Sequence, residues 1–316
     1  MSASMEPSAM ADASGTGQPS ASALDRLAPR PVATNLLRRQ LKKHLISNRL
    51  NLLGVIIVGL FIFFSLFGTV LAPYDPITPN ITEAKLLAPS TEHLMGTDDL
   101  GRDVLSRVMA GTRYSLQVAV IVLGFAVIFG TFIGAVAGFF GGFVDEVLMR
   151  FTDMFLAFPA LVLAIAIAAS LGRSLTNTMI ALSTVFWPWY ARLVRGQVLA
   201  VRERDYVDAG RSIGASNARL LFRHILPNCF SVVIIQATLD VGFAILATSS
   251  LSFIGLGAQP PTPEWGTMMF DARSRFRDAW WTMTFPGLAL TLTVFAFNVL
   301  GDGLQDALDP RSSRNG

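Results

Sequence analysis

An acid inside an apolar run is the first place where this chain could do chemistry. Asp240 lies eight residues past Val232 in a run that continues to Leu256, with Gln236 one helical turn before it. An ionisable group in hydrocarbon is costly and usually faces a cavity or a partner. Gln236 and Asp240 are therefore candidates for lining a passage; a structural hydrogen bond to a neighbouring helix is the competing use, and the sequence leaves both open. A proton relay is disfavoured, because no second acid is apparent in the apolar runs.

His93, Asp98, Asp99, Arg102 and Asp103 form a second cluster. Hard cations favour carboxylate oxygens. The same residues are explained by acids at a helix start, where the dipole welcomes negative charge, and by an Asp103–Arg107 pair one turn apart, so no metal site is expected. His44 and His224 lie far from His93, and Cys229 is the single cysteine, which excludes an intramolecular disulfide. Nothing nucleophilic is paired with a base, so a membrane-embedded enzyme is disfavoured. Arg150 and Asp153, three residues apart, are expected to pair locally. A phosphate-binding loop needs Gly-x-x-x-x-Gly-Lys followed by Ser or Thr. The only lysines, Lys42, Lys43 and Lys85, do not stand in that context. The chain is expected to have no ATP site or cofactor of its own, and nucleic acid is not expected as a partner.

The elements that hold these residues are set by composition. The chain is 52% hydrophobic and 15% charged, against about 25% charged in an ordinary soluble protein. About 20 uncharged apolar residues suffice for a helix to cross a bilayer, and six windows predict six transmembrane helices in an all-α integral membrane protein. They are 50–73, about 115–141, about 155–172, about 177–194, about 232–256 and about 282–301. Residues 1–35, rich in Ser, Ala, Pro and Gly, read as a disordered tail. Residues 36–49 make a basic segment, 74–113 and 257–281 make outer loops, 195–228 an inner loop, and 311–316 a short tail; 114–310 form the core domain. Gly124, Gly130, Gly134 and Gly138 have the spacing that lets membrane helices approach closely.

Lys and Arg accumulate on the cytoplasmic side of a membrane protein. With this order of spans, 17 of the 25 basic residues fall on one side, including seven before the first span and seven between the fourth and fifth. Both termini and the loop 195–228 are therefore expected in the cytoplasm. Trp187, Trp189, Trp280 and Trp281 fall near span ends, where amphipathic rings sit at headgroup level.

The inner loop is patterned as helix. Tyr206, Ala209, Ile213, Leu220, Leu221 and Ile225 recur at spacings near three and four, alternating with Asp208, Arg211, Arg219 and Arg223. Gly214 breaks the run, Ser216 is a cap for a second helix, and Pro227 is expected to stop it. A short helix, a glycine elbow and a second helix suit a plug for a protein socket.

The stretch DAGRSIGASNARLLFRHILP closely resembles the cytoplasmic signature of permease subunits of ATP-binding-cassette importers: Asp208, Ala209 and Gly210, then Gly214, then Leu226 and Pro227. The family more often has Glu at the first position and Ala at the third, and Gly210 should cost the first helix roughly 1 kcal/mol relative to Ala. HLMGTDDLGRDVLSRV from His93, MRFTDMFLAFPALVLAI from Met149, LSFIGLGAQPPTPEWGTMM from Leu251 and FNVLGDGLQDALDP from Phe297 look like the second, C-type permease of the dipeptide, oligopeptide and nickel group. The resemblance runs from about Leu36 to Pro310.

The resemblance implies an importer-permease fold in a bacterial cytoplasmic (inner) membrane, in contact with lipid. The implied partners are a sister permease, two cytosolic ATPases that bind ATP and Mg, and an extracytoplasmic binding protein that brings dipeptides or oligopeptides. Tyr206, Asp208, Ala209, Gly210, Arg211, Ile213, Gly214, Ala215 and Ser216 would form the coupling helix and elbow that dock into an ATPase. Gln259, Pro261, Glu264 and Trp265 are candidates for the outer mouth or the docking surface of the binding protein. Glutathione-like conjugates and nickel chelates remain alternative cargoes. A stand-alone secondary transporter is the competing class; it would need an ion-coupling site, and repeats are frequent in such folds, but neither is apparent.

Overall fold

The computed structural model describes residues 49–82 and 84–308, and the expected tails 1–35 and 311–316 and nearly all of the basic segment 36–49 lie outside them. Apart from an isolated bridge between Thr97 and Asp103, the described residues are helix and loop. Helix α1 is Arg49–Leu71, α2 is Val104–Phe140, α3 is Gly142–Leu156, α4 is Ala160–Leu171 and α5 is Leu175–Arg202. A short α6 spans Asp205–Ser212, α7 runs from Asn217 to Phe253, α8 is Trp265–Ala272 and α9 is Trp281–Leu308.

Four of these helices are long and apolar enough to cross a membrane by themselves: α1, α2, α7 and α9. A fifth crossing results if α3 and α4 count as one, although they are bent by 81° around Pro159. The stretch 155–172, expected as one span, thus begins in the last turn of α3 and continues in a separate helix. Proline explains the break, since it lacks the N–H of a continuing helix and its ring clashes with the preceding turn.

Helix α5 is less apolar because it lies at the centre. Its residues Trp187, Tyr190, Ala191, Val194 and Val198 are buried against neighbours, and its last turns carry Arg192, Arg195 and Arg202. It continues past Pro188 and beyond the expected end at 194, so the first part of the segment 195–228 is helix. Helix α2 likewise begins at Val104, within the stretch expected as outer loop.

The glycine stripe brings α2 and α5 together. A Cβ on Gly130 would stand 2.5 Å from the carbonyl oxygen of Trp187, one on Gly134 would overlap the carbonyl oxygen of Ala191, and one on Gly138 would reach 3.0 Å from that of Arg195. Gly124 has open space instead. Ion pairs continue the same seam. Asp145 on α3 takes a bidentate bond from Arg195 at 2.5 and 2.6 Å, and Asp153 accepts from Arg192 at 2.7 Å. Arg150 pairs with Glu146 rather than with Asp153, because a residue four back on the same helix face lies within reach of its guanidinium. Arg202 closes the far end of α2 by donating to the carbonyls of Gly138 and Phe139, both at 3.1 Å.

A second apolar cluster ties α1, the start of α2, α8 and α9 together, with Phe61 edge-on to Trp265 and Phe297 at its centre. The loop 74–103 seals this end. Trp281 donates to the carbonyl of Thr97 at 3.0 Å, and buried Arg107 donates to the carbonyl of Pro76 at 2.7 Å.

Candidate functional site

Two regions stand out, and α5 and α7 belong to both. The first is a cavity of about 450 Å³ between these helices. Its polar groups are Gln236 and Asp240, on one face of α7; Phe186, Trp189 and Phe243 form aromatic walls, and Ala160, Val185 and Leu193 complete the lining. Asp240 stands in two relationships here. It lines the cavity, and it also bonds to neighbours: Tyr190 Oη donates to Oδ2 at 2.6 Å and Gln236 Nε2 donates to Oδ1 at 2.9 Å. Among the described residues, no Lys, Arg or His forms an ion pair with it.

Tyr190 is the residue that sequence reasoning missed. It sits fifty residues from Asp240 in a run of tryptophan and proline, and only a polar tip in an otherwise buried helix segment hints at a partner. Trp189 and the two phenylalanines left no signal that separates a cavity wall from core.

The second region is the elbow between α5 and α7. Val207 and Gly210 turn the inner face of α6 to the protein, while Asp208, Arg211, Ser212, Ile213, Gly214 and Ser216 are exposed. Tyr206, Ala209 and Ala215 are half-buried. Burial holds the Tyr206 hydroxyl above its usual pKa. Asp208 and Arg211 pair on the outer face at 3.0 Å. Gly210 has a packing reason: a Cβ there would stand 2.8 Å from the side chain of Leu220.

Gly214 adopts φ +82°, a region that L side chains rarely enter. The turn it allows lets the N–H of Ala215 reach the carbonyl of Gly210 at 3.0 Å, which closes α6. Ser216 then caps α7, its hydroxyl accepting from the N–H of Arg219 at 3.4 Å. Pro227 does not stop the second helix. A widened turn over Leu220–Ile225, with the N–H of Leu226 donating to the carbonyl of Leu221, precedes it, and α7 runs on to Phe253. The wider turn makes room where proline would otherwise clash with the carbonyl four residues back.

At the other end, Gln259 and Pro261 are exposed, whereas Glu264 and Trp265 are buried. Glu264 caps α8, accepting from the N–H groups of Gly266 and Thr267 at 2.9 Å and from Ser249 Oγ at 3.0 Å. Trp265 donates to the carbonyl of Val108 at 3.1 Å. These two can act on an outer surface only by positioning the segment, since their side chains do not reach it.

The acidic cluster is an ion-pair network. Asp98 accepts from Arg102 Nε at 2.7 Å and lies 3.5 Å from Arg107 Nε. Asp103 caps α2 through Ser106 and faces His93 Nδ1 at 3.0 Å, so it does not pair with Arg107 as expected. A capping carboxylate points back at its own first turn, out of reach of that guanidinium. No group of three or more metal-ligating side chains is found among the described residues.

Residues 130–314 match the model of the binding-protein-dependent transport system inner membrane component, and residues 37–89 match the N-terminal TM domain of oligopeptide transport permease C. The chain belongs to this permease family. It is 45% identical over 86% of its length to the dipeptide transport system permease protein DppC of Alkalihalophilus pseudofirmus, covering 90% of that protein. It is 44% identical over 83% of its length to a probable D,D-dipeptide transport system permease protein, DdpC, of Escherichia coli, of which it covers 88%. It is 42% identical over 80% of its length to the glutathione transport system permease protein GsiD of Pectobacterium atrosepticum, of which it covers 84%. The chain is thus a C-type permease subunit of a binding-protein-dependent ABC importer, a multi-pass protein of the bacterial cytoplasmic membrane. Its relatives are transport subunits rather than ATPases.

Proposed function

We propose that this permease crosses the membrane six times with both termini in the cytoplasm, α3 with α4 making the third crossing and α5 the fourth, and that it supplies half of a passage for dipeptides or oligopeptides. A sister permease supplies the other half. Two cytosolic ATPases bind ATP and Mg, and an extracytoplasmic binding protein delivers the cargo near Gln259 and Pro261.

In this reading α6 and the Gly214 elbow dock into an ATPase. The observation that carries it is continuity: the elbow joins the two helices that hold the cavity. From Asn217 to Asp240 is roughly 35 Å of helix at 1.5 Å per residue. A push on the exposed face of Asp208, Arg211 and Ile213 therefore moves the ends of α5 and α7 that lead to Trp189 and Asp240. Closure of the ATPases would turn the cavity outward and hydrolysis would reset it inward, with no bond chemistry in this chain. Relatives named for dipeptides and for glutathione have nearly the same identity to this chain, which supports leaving cargo choice largely to the binding protein.

The test is Gly214→Glu in the complete importer, with uptake of labelled alanyl-alanine, membrane abundance and co-purification of the ATPases measured together. Expected is normal abundance with loss of uptake and of the bound ATPase. Normal uptake with the ATPase retained would refute the docking assignment.

A further inference from the structure

We propose that the cavity between α5 and α7 binds a primary ammonium group of the passing cargo, with Asp240 as its counter-charge and Trp189, Phe186 and Phe243 as its walls. This deepens the reading of the cavity as part of the passage and rests on it.

The argument starts from the hydrogen bonds of the carboxylate. Both protein neighbours of Asp240 donate, one to each oxygen, at 2.6 and 2.9 Å. In its ionised form a carboxylate accepts only. An ionised carboxylate has about four acceptor sites, so the two bonds leave room for a further donor from the cavity side. Among the described residues, no side chain supplies a positive charge there. A charge in an apolar-walled site calls for a counter-charge.

The walls narrow what that counter-charge can be. A hard divalent cation takes about six or more oxygen ligands, and the cavity offers one carboxylate and one amide. An alkylammonium has three donors and no acceptor. It can spend one donor on Asp240 and one on the Gln236 carbonyl oxygen, and it gains from aromatic faces. Trp189 is 62% exposed although its neighbours Pro188 and Tyr190 are buried, so its ring is available to an incoming group. A volume of about 450 Å³ falls within the range of roughly 300–1,000 Å³ seen for small-molecule sites, enough for the amino-terminal part of a short peptide. The cavity would thus read the free amine common to unblocked peptides and leave their side chains unread.

The complete importer in lipid nanodiscs, without binding protein, is treated with dicyclohexylcarbodiimide, and labelling of Asp240 is quantified by mass spectrometry as total loss of the unmodified carboxyl, counting the N-acylurea together with any amide formed with an added amine. Alanyl-alanine and ethylammonium should reduce labelling several-fold, and N-acetyl-alanyl-alanine should not. Equal protection by the acetylated and free peptides, or protection by none, overturns the proposal. If the reagent leaves Asp240 unlabelled, uptake decides: Asp240→Asn in proteoliposomes with the binding protein should lower alanyl-alanine uptake several-fold, and unchanged uptake overturns the proposal. Leu193→Cys separates the two readings. A thiol at Leu193 that no water-soluble maleimide reaches in any nucleotide state removes the cavity from the passage, whereas a reachable thiol without amine-selective protection defeats the ammonium site alone.

Discussion

Tyr190 and Asp240 meet at 2.6 Å across the seam between α5 and α7, fifty residues apart in the chain, with the Gly214 elbow between them in sequence. A movement that separates α5 from α7 must break or re-aim this bond. The pair therefore links the shape of the cavity to the position of the elbow.

Tyr190→Phe removes the donor and keeps the ring. A hydrogen bond to a charged group contributes about 1.5–3 kcal/mol, so the purified importer should melt several degrees lower and transport more slowly, at unchanged membrane abundance. Thermal unfolding with and without the substitution checks this; an unaltered melting temperature would mean that the bond does not hold the two helices together.

The glycine stripe makes a paired prediction. Gly134→Leu places a side chain where the carbonyl of Ala191 stands, while Gly124 faces open space. Overpacking of a tight contact costs about 1–3 kcal/mol. Gly134→Leu should lower the yield of assembled permease, and Gly124→Leu should leave it near the parent level. Size-exclusion profiles of the solubilised complex distinguish the two.

The legible parts of this fold carry residue-type signatures. A positive φ calls for glycine and a helix start calls for serine, so the turn at Gly214 and Ser216 could be read from two letters. Apolar length marks α1, α2, α7 and α9. Helix α5 is harder to read, because a helix surrounded by protein can carry arginines that a lipid-facing helix cannot. Proline acts in opposite directions at two places: Pro159 breaks its run into two helices, whereas the widened turn before Pro227 carries its helix onward. Nothing local distinguishes these outcomes, since each depends on what packs around the turn. The cavity was half-legible, through Asp240 and Gln236, whose polarity is conspicuous in an apolar run. Its aromatic walls and Tyr190 come from helices whose pairing only the fold decides.

At the elbow, backbone conformation separates from chemistry. Gly214→Ala puts a side chain at φ +82°, which costs about 1–2 kcal/mol, whereas Asn tolerates this region better. Uptake should fall in the order Gly, Asn, Ala if the turn itself transmits motion. If both variants transport equally well, the turn is not what the ATPase contact requires.

The loop network supplies a pH dependence. Burial raises the pKa of Asp271 on α8, and the Asp99 carboxylate adds to this, while Arg102 and Arg107 oppose it. A carboxylate with a raised pKa in the folded state favours folding when protonated. Its stabilising effect is complete below the ordinary carboxylate range and is lost as pH rises through the folded value. At neutral pH the buried charge is therefore a cost, and Asp271→Asn should raise the melting temperature of the purified importer there. The advantage should shrink as pH falls through the raised value of Asp271, because the parent carboxyl is then increasingly protonated as well. Melting curves from pH 4 to 8 give the test. An advantage that grows as pH falls would have the wrong sign and would mean that the arginines, rather than burial, dominate at Asp271.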